Sequence, residues 1–245
     1  MKIAILTDIH GNALALNAVL HSIDCMGDVQ EIWVLGDMIA MGPDTNEVLN
    51  TLFSRKDVRM ITGNHDEAVL SLLSKEGHPK SYKHTLEHHE WIAKQLTEEN
   101  INRLRSLPRT IEQTIHTTRI IGIHYHIEEE KRSAHINDDP FYSIQEANLE
   151  NMEKLFGTYP AEIICFGHHH PQHLFSSQGR TYLNPGALGV SKDDRAPFAI
   201  IDFNQNEPII EIQHTVYDKK AFLDKFEALQ VPQRDILFKL FFVGQ

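Results

Sequence analysis

Over about its first 65 residues the chain repeats one unit three times: a short apolar run, a loop, then a helix-patterned stretch. Lys2–Leu6, Glu31–Leu35 and Val58–Ile61 read as strands. Leu14, Leu16, Val19, Leu20 and Ile23 mark the first amphipathic helix. Gly42-Pro43-Asp44 opens a second helix running to about Ser54, with Pro43 suited to an early helical position. Strands joined through helices run parallel, so their carboxyl ends share one edge, the edge at which α/β sheets bind ligands.

The rest of the chain is read more coarsely. Glu67–Leu107 is a polar, mostly helical excursion, with a helix start at Thr97–Asn100 and a stop at Leu107-Pro108. Arg109–His116 and Thr118–Ile123 form a hairpin around Thr117, Glu128–Pro140 is a charged loop, and Ser143–Phe156 is a helix. Ala161–Phe166, Gln172–Ser176, Arg180–Leu183, Pro197–Phe203 and Ile209–Val216 are expected to make a second sheet with antiparallel character. Asp218–Leu229 and Pro232–Phe242 close the chain as helices. With no self-similar sequence repeat beyond the strand–loop–helix alternation and no low-complexity linker, the expectation is a layered α/β sandwich in one domain spanning 1–245, with the helical excursion of about 67–107 beside the site.

Composition narrows the function. Hydrophobic residues are 41% and charged residues 23%, ordinary for a globular chain, and no apolar run approaches the ~18 residues that span a bilayer. The first residues read as a strand, not a leader, and only two cysteines occur, Cys25 and Cys165, so a reducing cytoplasm is expected. The formal charge is −11 and no dense Lys/Arg run appears, which argues against extended nucleic acid. A small anionic substrate stays allowed, because bound dications reverse the local field of an acidic protein.

The strand ends carry the chemistry. They hold Asp8 and His10 in T-D-I-H, Asp37 in G-D, Asn64, His65 and Asp66 in G-N-H-D, His124 after I-I-G-I, and His168, His169 and His170 in G-H-H-H. Carboxylate, amide and imidazole are the donors that divalent metals of this type take up. In an extended segment Asp8 and His10 point the same way and reach one ion. Asp37 offers two oxygens, enough to bridge two ions, and as a lone G-D it also fits a turn or cap. Asn64 offers a carbonyl oxygen or a helix cap, His65 a titratable nitrogen, and Asp66 a carboxylate that can orient His65. His168 and His170 are expected on one side and His169 on the other. His124 is favoured as the strand-end imidazole, with His126, two residues on, as the alternative. The remaining histidines show no pattern. His84, His88 and His89 are expected on a solvated helix face, and a further metal site from His84 and His88 at i, i+4 is disfavoured.

The ordered set D-x-H, G-D, G-N-H-D, H, G-H-x-H resembles the signature of the calcineurin-like metallophosphoesterase superfamily. Gly36–Asp44 resembles the G-D-x-x-x-x-G-P-x stretch of its small bacterial phosphodiesterase branch, and Asn184-Pro185-Gly186-Ala187-Leu188-Gly189 resembles its N-P-G-S-x-G turn. The likeness extends over essentially residues 1–215. Two departures stand out: Tyr125-His126 where these relatives usually carry glycine and a small polar residue, and His169 where threonine or serine is common.

The resemblance implies a four-layer αββα fold. It implies one metal on Asp8, His10, Asp37 and His170, and a second on Asp37, Asn64, His124 and His168, with Asp37 bridging. A metal-bridging hydroxide would attack in line, and His65 would steady the developing charge or protonate the leaving oxygen. Manganese, or an iron–manganese pair, is the favoured cofactor, with zinc and nickel also compatible with N/O donors. The implied activity is hydrolysis of a phosphodiester or phosphomonoester in a small nucleotide-like substrate. Dinucleoside polyphosphate hydrolase and protein phosphatase are the neighbouring activities. Some proteins of this fold are non-enzymatic scaffolds that have lost site residues; the intact donor set here argues against that role.

Overall fold

Alternation within each strand decides which way it faces. The computed structural model describes residues 1–242. Its first strand, β1 (Lys2–Leu6), sends Ile3 and Ile5 to one apolar cluster and Ala4 and Leu6 to another. The next, β2 (Glu31–Leu35), does the same with Trp33 and Leu35 against Ile32 and Val34. A strand buried on both faces must lie inside a sheet that is covered on both sides.

Helices α1 (Ala13–Met26), α2 (Thr45–Ser54) and α3 (Asn64–Leu73) alternate with β1, β2 and β3 (Val58–Ile61), which pair in parallel. The excursion follows as a 3-10 turn (Lys80–Thr85), α4 (Leu86–Gln95) and α5 (Glu98–Arg105). Strands β4 (Thr110–Ile115) and β5 (Thr118–Ile123) form the hairpin, followed by α6 (Leu149–Phe156), β6 (Ile163–Cys165), β7 (His173–Ser177) and β8 (Arg180–Asn184). The chain ends through β9 (Arg195–Asp202), β10 (Ile209–Val216), α7 (Lys219–Ala228) and a last short helical segment over Arg234–Phe242.

There are two five-stranded sheets, ordered β10-β9-β1-β2-β3 and β4-β5-β6-β8-β7. They face each other across Ile3, Ile5, Trp33, Leu35, Ile120, Ile163 and Leu183. Helix α1 packs Leu16, Val19 and Leu20 against the outer face of the first sheet, and α6 packs Met152, Leu155 and Phe156 against the second. The layers are therefore αββα. In the second sheet β5, β6 and β8 are parallel, so it too gathers strand carboxyl ends at one edge.

Three sequence expectations are corrected. Strands β9 and β10 were expected in the second sheet but belong to the first, where β9 runs antiparallel to β1. The cause is burial: Phe198 and Ile200 face the helix side while Ala199 and Ile201 face the other sheet, so β9 needs an interior place, and β1 offers one. Helix α6 starts at Leu149, not Ser143, because the Asn148 side chain accepts the N–H of Asn151 at 2.9 Å and caps it there. Pro43 lies before α2, not inside it; Asp44 occupies the cap position, and its carboxylate takes the Ala13 N–H and the Lys225 ammonium instead.

No helix among the described residues is long and apolar enough to cross a membrane. Cys25 and Cys165 are both free thiols, the second buried.

The inter-sheet core sets the stability of the site's platform. Leu183→Ala is expected to cost about 2–5 kcal/mol, since its side chain is fully buried between the sheets. Ile209→Ala, 49% exposed on the edge strand, should stay within about 0.5 kcal/mol. Urea unfolding of both variants checks the contrast; equal effects would refute the placement of the core.

Candidate metal centre

Every polar residue singled out at a strand end lies on the same edge of the two sheets. Asp8 and His10 follow β1, Asp37 follows β2, and Asn64 and His65 follow β3; His124 follows β5 and His168–His170 follow β6. The backbone that turns them inward is unusual. Asp8, His10, Asp37 and His168 have φ of 53°, 48°, 50° and 66°, in the left-handed region. Non-glycine residues held there cost of order 1–3 kcal/mol each and collect at functional sites. Asp8 and His10 therefore converge through a twisted loop, not through the extended alternation expected of D-x-H.

The side chains fall into two groups. In the first, His10 Nε2 lies 3.2 Å from His170 Nε2 and 3.6 Å from Asp8 Oδ1, and His170 Nε2 lies 3.8 Å from that same oxygen. In the second, His124 Nε2 lies 3.3 Å from Asp37 Oδ2 and 2.8 Å from Asn64 Oδ1, and His168 Nδ1 lies 2.7 Å from Asn64 Oδ1. Donors about 2.1 Å from a common ion stand about 3–3.5 Å apart, so each group has metal-ligand spacing. The opposite orientation of the Asn64 amide would aim its NH₂ at both rings and at Asp37 Oδ2, turning a donor set for a cation into hydrogen bonds. Asp37 Oδ2 also lies 3.9 Å from His10 Nε2, so this one carboxylate stands between the groups.

Asp37 is held by its other oxygen. Oδ1 accepts the backbone N–H of His65 at 2.8 Å, within the first turn of α3, where the helix dipole favours negative charge. G-N-H-D is thus the start of a helix, with Gly63 at the cap position and Asn64 already helical. The approach is close: a methyl group on Gly63 would sit 2.2 Å from Asp37 Oδ1 and 2.3 Å from its backbone nitrogen. Asp66 completes the lock, accepting the N–H groups of Gly63 at 2.9 Å, Met38 at 3.1 Å and Ile39 at 3.2 Å. The expectation that Asp66 orients His65 is therefore corrected. At the third helical position its carboxylate is used by backbone, tying the loop after β2 to the start of α3.

The electrostatics fit a cation. Burial holds the imidazoles of His10 and His170 down at about 4, and that of His168 well below its usual value. Burial would lower His124 too, but the Asp37 and Asp8 carboxylates beside it push it up to about 10. Asp37 resists its own burial and is held well below the carboxylate range by His124, His65 and His10. Three of the imidazoles thus reject a proton beside an Asp37 carboxylate that demands positive charge, while burial raises the carboxyl of Asp8. Dications satisfy both, and the donors are oxygen and nitrogen throughout.

His126 is apart from these groups. Its ring packs against Tyr142, Phe156 and Tyr159, and its Nδ1 lies 3.4 Å from the Tyr159 hydroxyl. His169 turns away to His173, Nδ1 to Nε2 at 3.1 Å. Tyr125 is buried against Phe166 and His168, so this departure from the family pattern underpins a site histidine from below.

His65 lies beside the groups, its ring 5.5 Å from that of His10 and 5.2 Å from that of Tyr82. Its Nδ1 is 2.9 Å from Nε2 of His89, whose Nδ1 is 2.8 Å from Nε2 of His78. The expected solvated face for His88 and His89 is wrong, since both are fully buried. Their spacing to Ile92, four and three residues on, was the signal: it places both on the apolar stripe of α4. His84 is exposed and joins no metal-type group among the described residues. The Phe241 ring, near the end of the described chain, lies 5.7 Å from that of His170.

Comparison with known proteins agrees with this architecture. Residues 1–206 match the calcineurin-like phosphoesterase superfamily domain. An uncharacterized protein of Methanocaldococcus jannaschii is 29% identical over 254 aligned positions, covering 94% of each chain. The crystal structure of a metallophosphoesterase from Sphaerobacter thermophilus superposes with a TM-score of 0.72 over 97% of both chains at 22% identity, a likeness of fold. A symmetrical bis(5'-nucleosyl)-tetraphosphatase of Pectobacterium atrosepticum is 34% identical over 73 residues, 29% of this chain and 26% of its own. The chain belongs to the calcineurin-like phosphoesterase superfamily, a class of metal-dependent hydrolases of phosphate esters.

Two outcomes follow from this geometry. Asp37→Asn should lose more metal than His10→Ala, because it removes the charge between both groups while His10→Ala removes one neutral donor from one group. Metal analysis of gently purified protein decides it; an Asp37→Asn chain that keeps two ions would refute the shared position. Asp66→Ala strands three buried N–H groups and should destabilise the fold by about 3 kcal/mol or more. A denaturation midpoint unchanged from the parent would show that the lock is unimportant.

Proposed function

We propose that this chain is a binuclear metal-dependent phosphoesterase that cleaves phosphodiester or phosphomonoester bonds of a small, nucleotide-like substrate. The observation that carries the reading is the Asp37 carboxylate standing between two donor groups of metal-ligand spacing. Asp8, His10, Asp37 and His170 would hold one ion, and Asp37, Asn64, His124 and His168 the other. When bound, two such ions neutralise the phosphoryl oxygens and lower the pKa of water. Manganese, or iron with manganese, is the proposed pair; zinc and nickel are chemically compatible with the same donors.

The chain's own residues supply the rest. His65 adjoins both groups without entering either, and its ring Nε2 has no hydrogen-bond partner among the described residues. It is the group placed to give a proton to the leaving oxygen. Substrate would enter beside His168, where Tyr82, Phe141, Tyr142 and Lys131 line a cavity of about 680 Å³. Its aromatic faces suit a base; its one ammonium, Lys131, is paired with Glu128 at 3.1 Å, and Asp139 also lines the cavity, so the charge that binds phosphate would come from the metal ions. We take the whole chain, 1–245, as one working domain, in the cytoplasm.

Hydrolysis of a dinucleoside polyphosphate is the second reading. The partial likeness to a bis(5'-nucleosyl)-tetraphosphatase favours it. A protein phosphatase would also share the chemistry, but a chain with net charge −11 and an aromatic-lined cavity fits a small nucleotide better.

A substrate panel tests the reading: metal-reconstituted protein with a nitrophenyl and an alkyl phosphodiester, a phosphomonoester, cyclic nucleotides and dinucleoside tetraphosphates. Activity should vanish on chelation and return with manganese; full activity without metal would sink the proposal. Within that panel His65→Ala should keep its metals and lose ~10²–10⁴-fold in kcat on the alkyl ester, with a smaller loss on the nitrophenyl ester, whose leaving oxygen needs little protonation. Equal losses on both would point to charge stabilisation instead of acid catalysis.

A further inference from the structure

A catalytic imidazole needs a partner on its second nitrogen, commonly a carboxylate or a backbone carbonyl. Here no carboxylate touches the His65 ring among the described residues. Asp66, its neighbour in sequence, is committed to three backbone N–H groups, and Asp37 Oδ1 to the His65 N–H. The ring nitrogen turns instead to the helical excursion. His65 Nδ1 meets His89 Nε2 at 2.9 Å, and His89 Nδ1 meets His78 Nε2 at 2.8 Å. His89 is fully buried and His78 half-buried, so the chain of rings runs from the metal centre to the surface. Successive rings meet edge to face, with centroids 5.0 Å apart at each step.

We propose that His89 and His78 form a proton relay that serves His65, bringing a proton to its Nδ1 as its Nε2 gives one to the leaving oxygen, so that the buried ring never carries a net negative charge. The proposal rests on the reading of His65 as proton donor. In the donating state His78 Nε2–H points to His89 Nδ1 and His89 Nε2–H to His65 Nδ1, so His65 carries its proton on Nε2. As the oxygen of an attacking hydroxide bonds to phosphorus, the ester P–O bond breaks and its electron pair stays on the leaving oxygen, which takes the Nε2 proton. The His89 Nε2 proton moves to His65 Nδ1, the His78 Nε2 proton moves to His89 Nδ1, and water gives one proton to His78 Nδ1. Every ring gains one proton and loses one, and none ends with a changed charge. The chain resets when His65 Nε2 takes the proton that the next attacking water gives up in becoming hydroxide, and the three hops reverse to return the relay's proton to solvent. The excursion between α3 and β4 is thereby part of the catalytic apparatus, with His89 and His78 acting through His65.

The test uses the full chain reconstituted with manganese, with metal content measured for each variant. Substrates are the alkyl and nitrophenyl phosphodiesters of the panel. His89→Phe keeps the ring volume but ends the relay. His89→Gln keeps a donor and an acceptor that can hold His65, but passes no proton. His78→Ala cuts the chain at its half-exposed end, where folding is least at risk. All three should keep their metals, lose about 10-fold or more in kcat on the alkyl ester, and lose less than about 3-fold on the nitrophenyl ester. Added imidazole should raise the rate of His78→Ala on the alkyl ester, an effect that a packing role alone would not produce.

Full activity in His89→Gln would overturn the relay and leave His89 as a positioning residue. Parent-like activity in both His89→Phe and His78→Ala, alongside a leaving-group-dependent loss in His65→Ala, would overturn the relay and leave the role of His65 standing. Absence of that loss in His65→Ala itself would remove both.

Discussion

The site depends on how one carboxylate is shared. Asp37 gives one oxygen to the first turn of α3 and leaves the other between two sets of imidazoles. That division is possible only because the loops after β2 and β3 nearly touch, with Gly63 too close to Asp37 for any side chain. Asp66 then closes the two loops on each other through three N–H groups. A buried carboxylate unable to find donors would cost several kcal/mol. Here the helix start and the neighbouring loop supply them, so Asp37 and Asp66 are each satisfied by the backbone that they organise.

The fold serves this arrangement by aiming two sheets at one edge. Parallel β1, β2 and β3 end there from one side, and parallel β5, β6 and β8 from the other. His124 and His168 come from the second sheet and meet Asp37 and Asn64 from the first, so the second donor group exists only when both sheets are packed. The inter-sheet core of Ile3, Trp33, Leu35, Ile120 and Leu183 sets that registry. Stability and site geometry are consequently coupled: core loosening between the sheets also separates donors. The left-handed backbone at Asp8, His10, Asp37 and His168 is held against its local preference by the same packing.

The excursion between α3 and β4 has a different relation to the site. Its helices supply no donor to either group, but they bring Tyr82 over the His65 ring and His89 to its Nδ1. The cost is two buried imidazoles on α4, of which His88 has no hydrogen-bond partner for either ring nitrogen among the described residues and stacks against Trp91 instead.

The sequence by itself determined the class of fold and the identity of the residues at the strand ends. Strand–loop–helix repetition dictates parallel strands, and parallel strands dictate a shared edge; both are local in their causes. The order of D-x-H, G-D, G-N-H-D and G-H-x-H was legible for the same reason. What only the tertiary structure decided were the long-range choices. Whether β9 and β10 join the first or second sheet turns on which sheet has an interior slot for a doubly buried strand, and no short-range pattern encodes that. The partner of Asp66 is three backbone amides, two of them far away in sequence, so adjacency to His65 misled. His89 and His78 are 24 and 13 residues from His65 and share no motif with it. Side-chain chemistry is written in the sequence, but the pairing of His65 with His89 across 2.9 Å is set by how α4 packs over α3, and that of His89 with His78 by the path of the loop between them. That packing is a property of the whole core.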